Sequence, residues 1–409
     1  MTAIKLAAIV SVATLCAACA ATTESGPDSS MPGQTSAQSR PTEGSSPTPR
    51  LALSYDGGIL VVDADSLEQV ADIPVDGFVR LNPAGNDRHV LVSGSDGFTV
   101  LDMGTWTDAH GDHGHHYTAD PTLTDLRFGG AEPGHAVVHD EMLTLFSDGI
   151  GTVDLVDPDV LLDGKGEARR VTSTAPHHGV AVVRQDGTLV ISIGDDNGRS
   201  GVEIRDAADR RVVANEDCPG VHGEAAAHGG VLTFGCEDGA LIVRGNEIRK
   251  VNSPDAYGRI GNHAGSPHST IVLGDYKTDP DAEIERPRRF ALIDTENATL
   301  RVVPIDASYS FRSLDRGPAG EAVILGTDGA LHVYDPVTAQ GTARIEVIDA
   351  WTEPERWQAP MPNLHVQGGT AYVTDPAARR LVAVDMATGT TVAETTLPQP
   401  TVELTGVRG

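Results

Sequence analysis

From Leu51 onward the apolar residues fall in short runs rich in Val, Ile, Leu and Thr, separated by Gly, Pro and acidic residues. Short runs bounded by turn formers predict β-strands rather than helices. The chain holds 45 Gly and 25 Pro, too many breakers for long helices, and no amphipathic helical run stands out. A strand that ends in or near an acidic residue recurs. The copies are Leu60-Val61-Val62-Asp63, Thr99-Val100-Leu101-Asp102, Val153-Asp154-Leu155-Val156-Asp157, Val202-Glu203-Ile204-Arg205-Asp206, Leu241-Ile242-Val243-Arg244, Ala291-Leu292-Ile293-Asp294, His332-Val333-Tyr334-Asp335 and Val382-Ala383-Val384-Asp385. Ahead of several stands Asp-Gly, at 96–97, 148–149, 186–187, 238–239 and 328–329. Asp-Gly supplies the positive φ angles of a tight hairpin.

Each unit therefore reads as strand, hairpin, strand and outer strand, which is a propeller blade. Eight copies predict an all-β, eight-bladed β-propeller, with seven blades as the alternative count. The chain enters mid-blade at Leu51, and Thr401-Val402-Glu403-Leu404 reads as an inner strand. Pairing that C-terminal strand into the first blade would close the ring and remove an open sheet edge. No second linker interrupts residues 50–409, so they are expected to form a single domain.

The N-terminus reads differently. Lys5 precedes an apolar run, Leu6 to Leu15, followed by small residues and Cys19. This is the order of a secretory signal, and the run is too short to span a bilayer. Leu15-Cys16-Ala17-Ala18-Cys19 resembles a bacterial lipobox, which predicts a signal peptide over 1–18 and a lipid on Cys19. Residues 19–49 are rich in Ser, Thr, Pro and Gly and predict a flexible tether. The protein is thus expected outside the cytoplasm, anchored to the membrane through lipid only.

Composition and cysteines narrow the chemistry. A formal net charge of −28 excludes nucleic acid as a natural partner. Beyond the signal region only Cys218 and Cys236 remain, flanking one strand-turn-strand stretch. In an exported protein they are expected to form a disulfide, with paired zinc thiolates as the alternative.

The histidines carry the functional signal. Four of the fifteen lie in His110-Gly111-Asp112-His113-Gly114-His115-His116, with Asp108 just ahead. The window follows a blade strand and reads as a Gly-flanked loop whose imidazoles can converge. Imidazole with carboxylate suits zinc better than calcium or magnesium. A second set recurs at blade starts: His135, His177 and His178, and His222, followed by His263 and His365. Inner strands line the channel of a propeller, so these distant residues can meet there. His139 lies four residues after His135 on one strand and is expected on the same face.

Several segments resemble the AztD-type periplasmic zinc metallochaperones: Asp108 to His115, Pro176-His177-His178-Gly179-Val180-Ala181-Val182, Cys218-Pro219-Gly220-Val221-His222-Gly223-Glu224-Ala225, Phe234-Gly235-Cys236-Glu237-Asp238-Gly239 and Thr374-Asp375-Pro376-Ala377. The resemblance spans essentially the whole propeller. It implies two zinc sites and transfer of zinc to the solute-binding protein of a zinc ABC importer. It implies His110, Asp112, His113, His115, His135, His139, His177, His178 and His222 as ligand candidates, undivided between the sites. The protein is expected to be a monomer and not an enzyme. The lipobox-like start departs from a free periplasmic protein. Two other readings stand beside it. In a propeller metalloenzyme Asp112, His139 or Glu224 would serve as base. In an interaction scaffold the histidines would be incidental.

Overall fold

A computed structural model of the chain describes residues 40–111, 113–282 and 284–409. The signal peptide, Cys19, most of the tether and Asp112 lie outside the described residues. The regular structure described is almost entirely strand. The exceptions are one helical turn, Asp159–Leu162, and a 3-10 turn, His228–Gly230. No helix among these residues is long and apolar enough to cross a membrane.

The strands form eight four-stranded antiparallel sheets and one three-stranded sheet. Sheet 1 joins Arg50–Tyr55, Gly58–Asp63 and Gln69–Pro74 to the C-terminal strand Glu403–Val407, which pairs with Arg50–Tyr55 as its innermost member. Sheet 2 holds Arg80–Pro83, His89–Ser93, Phe98–Asp102 and Thr122–Phe128. Sheets 3 to 8 follow in chain order over residues 133–172, 181–215, 222–252, 263–304, 314–346 and 364–396.

Both faces of the central strands are apolar because both are covered. Leu51 and Leu53 pack toward sheet 8 with Leu381 and Ala383, whereas the intervening Ala52 packs toward sheet 2 with Val90 and Val92. Side chains alternate sides along a strand, so an unbroken apolar run serves two neighbours at once. The same division repeats throughout. Eight buried clusters each join two sheets: 1 with 2, 2 with 3, 3 with 4, 4 with 5, 5 with 6, 6 with 7, 7 with 8, and 8 with 1. The outer strands have one dry face only, as in Gln69–Pro74, where exposed and half-buried residues alternate from Val70 onward.

The ninth sheet corrects one expectation. The histidine window is not a loop but the tip of a β-hairpin, Thr105–His110 and His113–Thr118, inserted between the third and fourth strands of sheet 2. Its third strand is Thr42–Gly44, from the stretch read as tether, with Thr42 opposite Thr118 and Gly44 opposite His116. Trp106 and Tyr117 stack across the hairpin at 5.4 Å between centroids, and Arg88 lies over the Trp106 ring at 4.1 Å. These contacts hold as strands a sequence whose Gly and His residues have little strand preference of their own.

Candidate metal centre

Three histidines from three successive sheets meet. His135 lies on the inner strand Pro133–His139 of sheet 3, and His178 lies just before the inner strand Ala181–Val183 of sheet 4. His222 opens the inner strand His222–Ala227 of sheet 5. Their ring centroids form a near-equilateral triangle, 5.1, 5.1 and 5.0 Å on a side. One ligand atom from each lies within 4.8 Å of the others, the one group of three or more potential metal ligands this close among the described residues. Glycines make the approach possible. A Cβ at Gly134 would overlap the Asp148 carboxylate beside His135 and His178. Gly223, at φ +69°, turns the chain after His222, where a Cβ would meet the Gly261 carbonyl.

The surroundings fix the tautomers. His178 Nδ1 is 2.5 Å from Asp148 Oδ2, and His222 Nδ1 is 2.7 Å from the Gly261 carbonyl oxygen. A carboxylate and a carbonyl only accept, so each Nδ1 carries the proton and donates it. Both Nε2 atoms then present lone pairs, and they face each other at 3.0 Å. Lone pairs so placed can hold an electrophile between them. The third ring has its own neighbour: His135 Nδ1 lies 3.6 Å from Glu224 Oε2, beyond hydrogen-bond distance.

Metal requires neutral imidazole, and the site favours it. Burial pushes His135 well below the ordinary range, with the neighbouring imidazoles and the guanidinium groups of Arg80 and Arg199 adding to the shift. Burial likewise lowers His222 to about 3; the Gly261 hydrogen bond opposes this, and Arg259 and Arg199 reinforce it. Burial pushes the Glu224 carboxyl up to about 8. Zinc held by nitrogen at 2.0–2.1 Å in a tetrahedron separates its ligand nitrogens by roughly 3.3 Å. The His178 and His222 Nε2 atoms, 3.0 Å apart, already stand near that separation, with a His135 nitrogen within 4.8 Å of both.

The remaining candidates divide. On the hairpin, Asp108 pairs with His115 and His110 with His113, so all four side chains share one face. The rings of His110, His113 and His115 lie 5.4 to 6.4 Å apart, and Glu43 Oε1 reaches His115 Nδ1 at 2.7 Å. His116 points to the other face and contacts Thr107 Oγ1. His177 stands apart from both groups. Its Nδ1 is 2.8 Å from the Ala175 carbonyl and its Nε2 2.8 Å from Ser192 Oγ, with the ring against Phe146. His139 is also separate, beside Asp140 at 3.2 Å, because four residues of extended strand, roughly 13 Å, divide it from His135. His263 contacts Thr233 Oγ1 and His365 lies 3.9 Å from Asp315. Asp148, Gly261 and the Glu224 carboxyl group complete the site, and nothing in the residue pattern assigns them this role. Asp148 belongs to an Asp-Gly pair that reads only as a turn.

The sheet 5 histidine is further anchored by the Cys218–Cys236 disulfide. Cys218 is buried four residues before His222, and Gly235, the partner of His222 in the ladder, adjoins Cys236. The bridge thus pins the turn that delivers His222.

No family model matches the chain. The zinc chaperone AztD of Citrobacter koseri is 26% identical over 338 residues, covering 80% of this chain and 78% of that one. The crystal structure of Citrobacter koseri AztD superposes with a TM-score of 0.77 at 23% identity, covering 89% of this chain and 98% of that one. The apo form of the same protein gives 0.75 at 23% identity, covering 88% and 98%. The dihydro-heme d1 dehydrogenase NirN shares only the fold, with a TM-score of 0.53 at 13% identity, covering 88% of this chain and 74% of that one. In sequence over most of its length, and in fold, the chain is similar to the AztD-type zinc chaperones.

Proposed function

We propose that this protein is a zinc chaperone, with zinc as cargo rather than as the cofactor of an enzyme. The observation that carries the proposal is the pair of Nε2 lone pairs of His178 and His222 facing at 3.0 Å while both Nδ1 atoms are held by oxygen acceptors. His135, His178 and His222 form the principal site, and His110, His113 and His115, with Asp112, form a second on the hairpin. The eight sheets make a propeller closed by Glu403–Val407. The principal site, built on packed strands, keeps its metal tightly, while the hairpin presents zinc to an acceptor. The acceptor is the solute-binding protein of a zinc ABC importer, met outside the cytoplasm by a lipid-anchored monomer. Support comes from the similarity to AztD and from the site's fit to a tetrahedral metal.

The test is elemental analysis of tag-free protein after zinc equilibration and desalting, followed by incubation with the apo acceptor and separation by chromatography. Up to two zinc ions per chain are expected. His178→Ala and His222→Ala should lower zinc content, whereas His113→Ala with His115→Ala should slow transfer more than it lowers content. Protein that carries no zinc would overturn the proposal.

A further inference from the structure

We propose that the His135, His178 and His222 site binds zinc together with a small carboxylate, which takes the fourth coordination position and is guided by Arg199 and Arg259. The inference rests on the zinc reading above and adds the ligand that completes the site.

Three imidazoles leave a tetrahedral zinc one ligand short. Among the described residues no fourth donor joins the trio. The open side is accessible, since the His178 side chain keeps 46% of its exposure. Guanidinium groups lie around it, beside the Asp148 carboxylate that holds His178. The side chain of Arg199, half-buried, makes one long hydrogen bond among the described residues, from Nη1 to the His178 carbonyl at 3.4 Å. A guanidinium carries five N–H donors, so most of its capacity is unspent beside the site. Arg259 lies two residues before Gly261, whose carbonyl holds His222, and its Nη1 is 3.4 Å from Glu237 Oε1. Arg80 stands on the inner strand of sheet 2 next to that of His135, 3.7 Å from Glu403. Arg80 and Arg199 both act on His135, and Arg199 and Arg259 on His222.

Arg199 has no carboxylate partner within ion-pair distance among the described residues, in a chain that is acidic as a whole. The chain carries −28, which repels anions at long range. Bringing Zn²⁺ onto three neutral imidazoles adds two further positive charges among the guanidinium groups. A carboxylate bound to the metal offsets that charge and offers oxygen to the planar N–H forks of arginine, for which it is the natural partner. No bond is made or broken in the ligand; it exchanges for water on the metal.

Cobalt(II) in place of zinc makes the fourth ligand visible. Full-length, tag-free protein is loaded with cobalt at neutral pH and titrated with sodium acetate, with sodium chloride at matched ionic strength as reference. A saturable change in the visible d–d bands is expected with acetate and not with chloride. In Arg199→Met and Arg259→Met the cobalt content should hold while the acetate dissociation constant rises about tenfold. Should a methionine variant fail to fold, Arg199→Lys and Arg259→Lys, which keep the charge but lose the fork, should show a smaller rise. Failure to take up cobalt would overturn the metal site itself. Cobalt bound with bands indifferent to acetate, or an equal response in wild type and arginine variants, would overturn the carboxylate site alone.

Discussion

Asp148 is the most informative residue to change, because it touches no metal and yet sets one ligand's tautomer. Its Oδ2 takes the His178 Nδ1 proton at 2.5 Å, and its Oδ1 accepts the Gly179 N–H at 3.2 Å. In Asp148→Asn one of these contacts must fail. If the amide oxygen stays with Gly179, the NH₂ group faces His178 Nδ1. The ring then accepts there and moves its proton to Nε2, into the 3.0 Å gap to His222. Zinc must displace that proton before it binds. If the amide turns over, its NH₂ meets the Gly179 N–H. Loss of such an orienting partner costs about 10- to 100-fold in metal affinity, or roughly 1.4 to 2.7 kcal/mol. Competition against a chromophoric zinc chelator at neutral pH measures it, with thermal unfolding of the apo protein as control. An unchanged zinc affinity in a folded Asp148→Asn protein would refute the tautomer reasoning and leave the lone-pair argument without its basis.

Three further outcomes follow from other parts of the molecule. Cys218 and Cys236, 18 residues apart, close a loop worth about 3 kcal/mol in the chain-entropy model, so Cys218→Ser with Cys236→Ser should lower the denaturant midpoint accordingly; two free thiols in the unreduced wild type would contradict the bridge. His89 is buried and its pKa is lowered to about 4, chiefly by burial, so between about pH 6.5 and 4 the unfolded chain takes up a proton that the folded chain refuses. Stability should therefore fall by about 2 to 3 kcal/mol from pH 7 to 4.5 on this account, and urea unfolding of His89→Gln should show that much less pH dependence, an equal dependence counting against it. Glu43→Ala removes the His115 partner and should weaken zinc at the hairpin several-fold without touching the His135 trio; loss at both sites would contradict their separation.

Much of this architecture can be read directly from the residues. Runs such as Leu60-Val61-Val62 are apolar at every position because neighbours cover both faces, and the repeat of such runs announces the sheets. The C-terminal strand was legible for the same reason: an inner strand is missing from the first unit and present at the end. The site was half legible. His135, His178 and His222 each open a repeat, which says that they share one end of the inner strands. It cannot say that His178 faces the site while adjacent His177 turns to Ala175 and Ser192, since both precede the ladder that would fix alternation. His139 shares the strand of His135, yet four extended residues, roughly 13 Å, keep the two from one ion. The Gly and His content of the hairpin reads as a loop. The stabilising partners, Thr42–Gly44 and the Trp106–Tyr117 stack, are a distant segment and a cross-strand pair that local reading does not connect.

Anomalous diffraction at the zinc edge from zinc-equilibrated crystals of the tag-free protein tests the central claim most directly. A zinc peak bonded to nitrogens of His135, His178 and His222 at about 2.0–2.1 Å is the predicted result. A protein saturated with zinc whose peaks all lie elsewhere, with these three imidazoles still facing one another without metal, would contradict it.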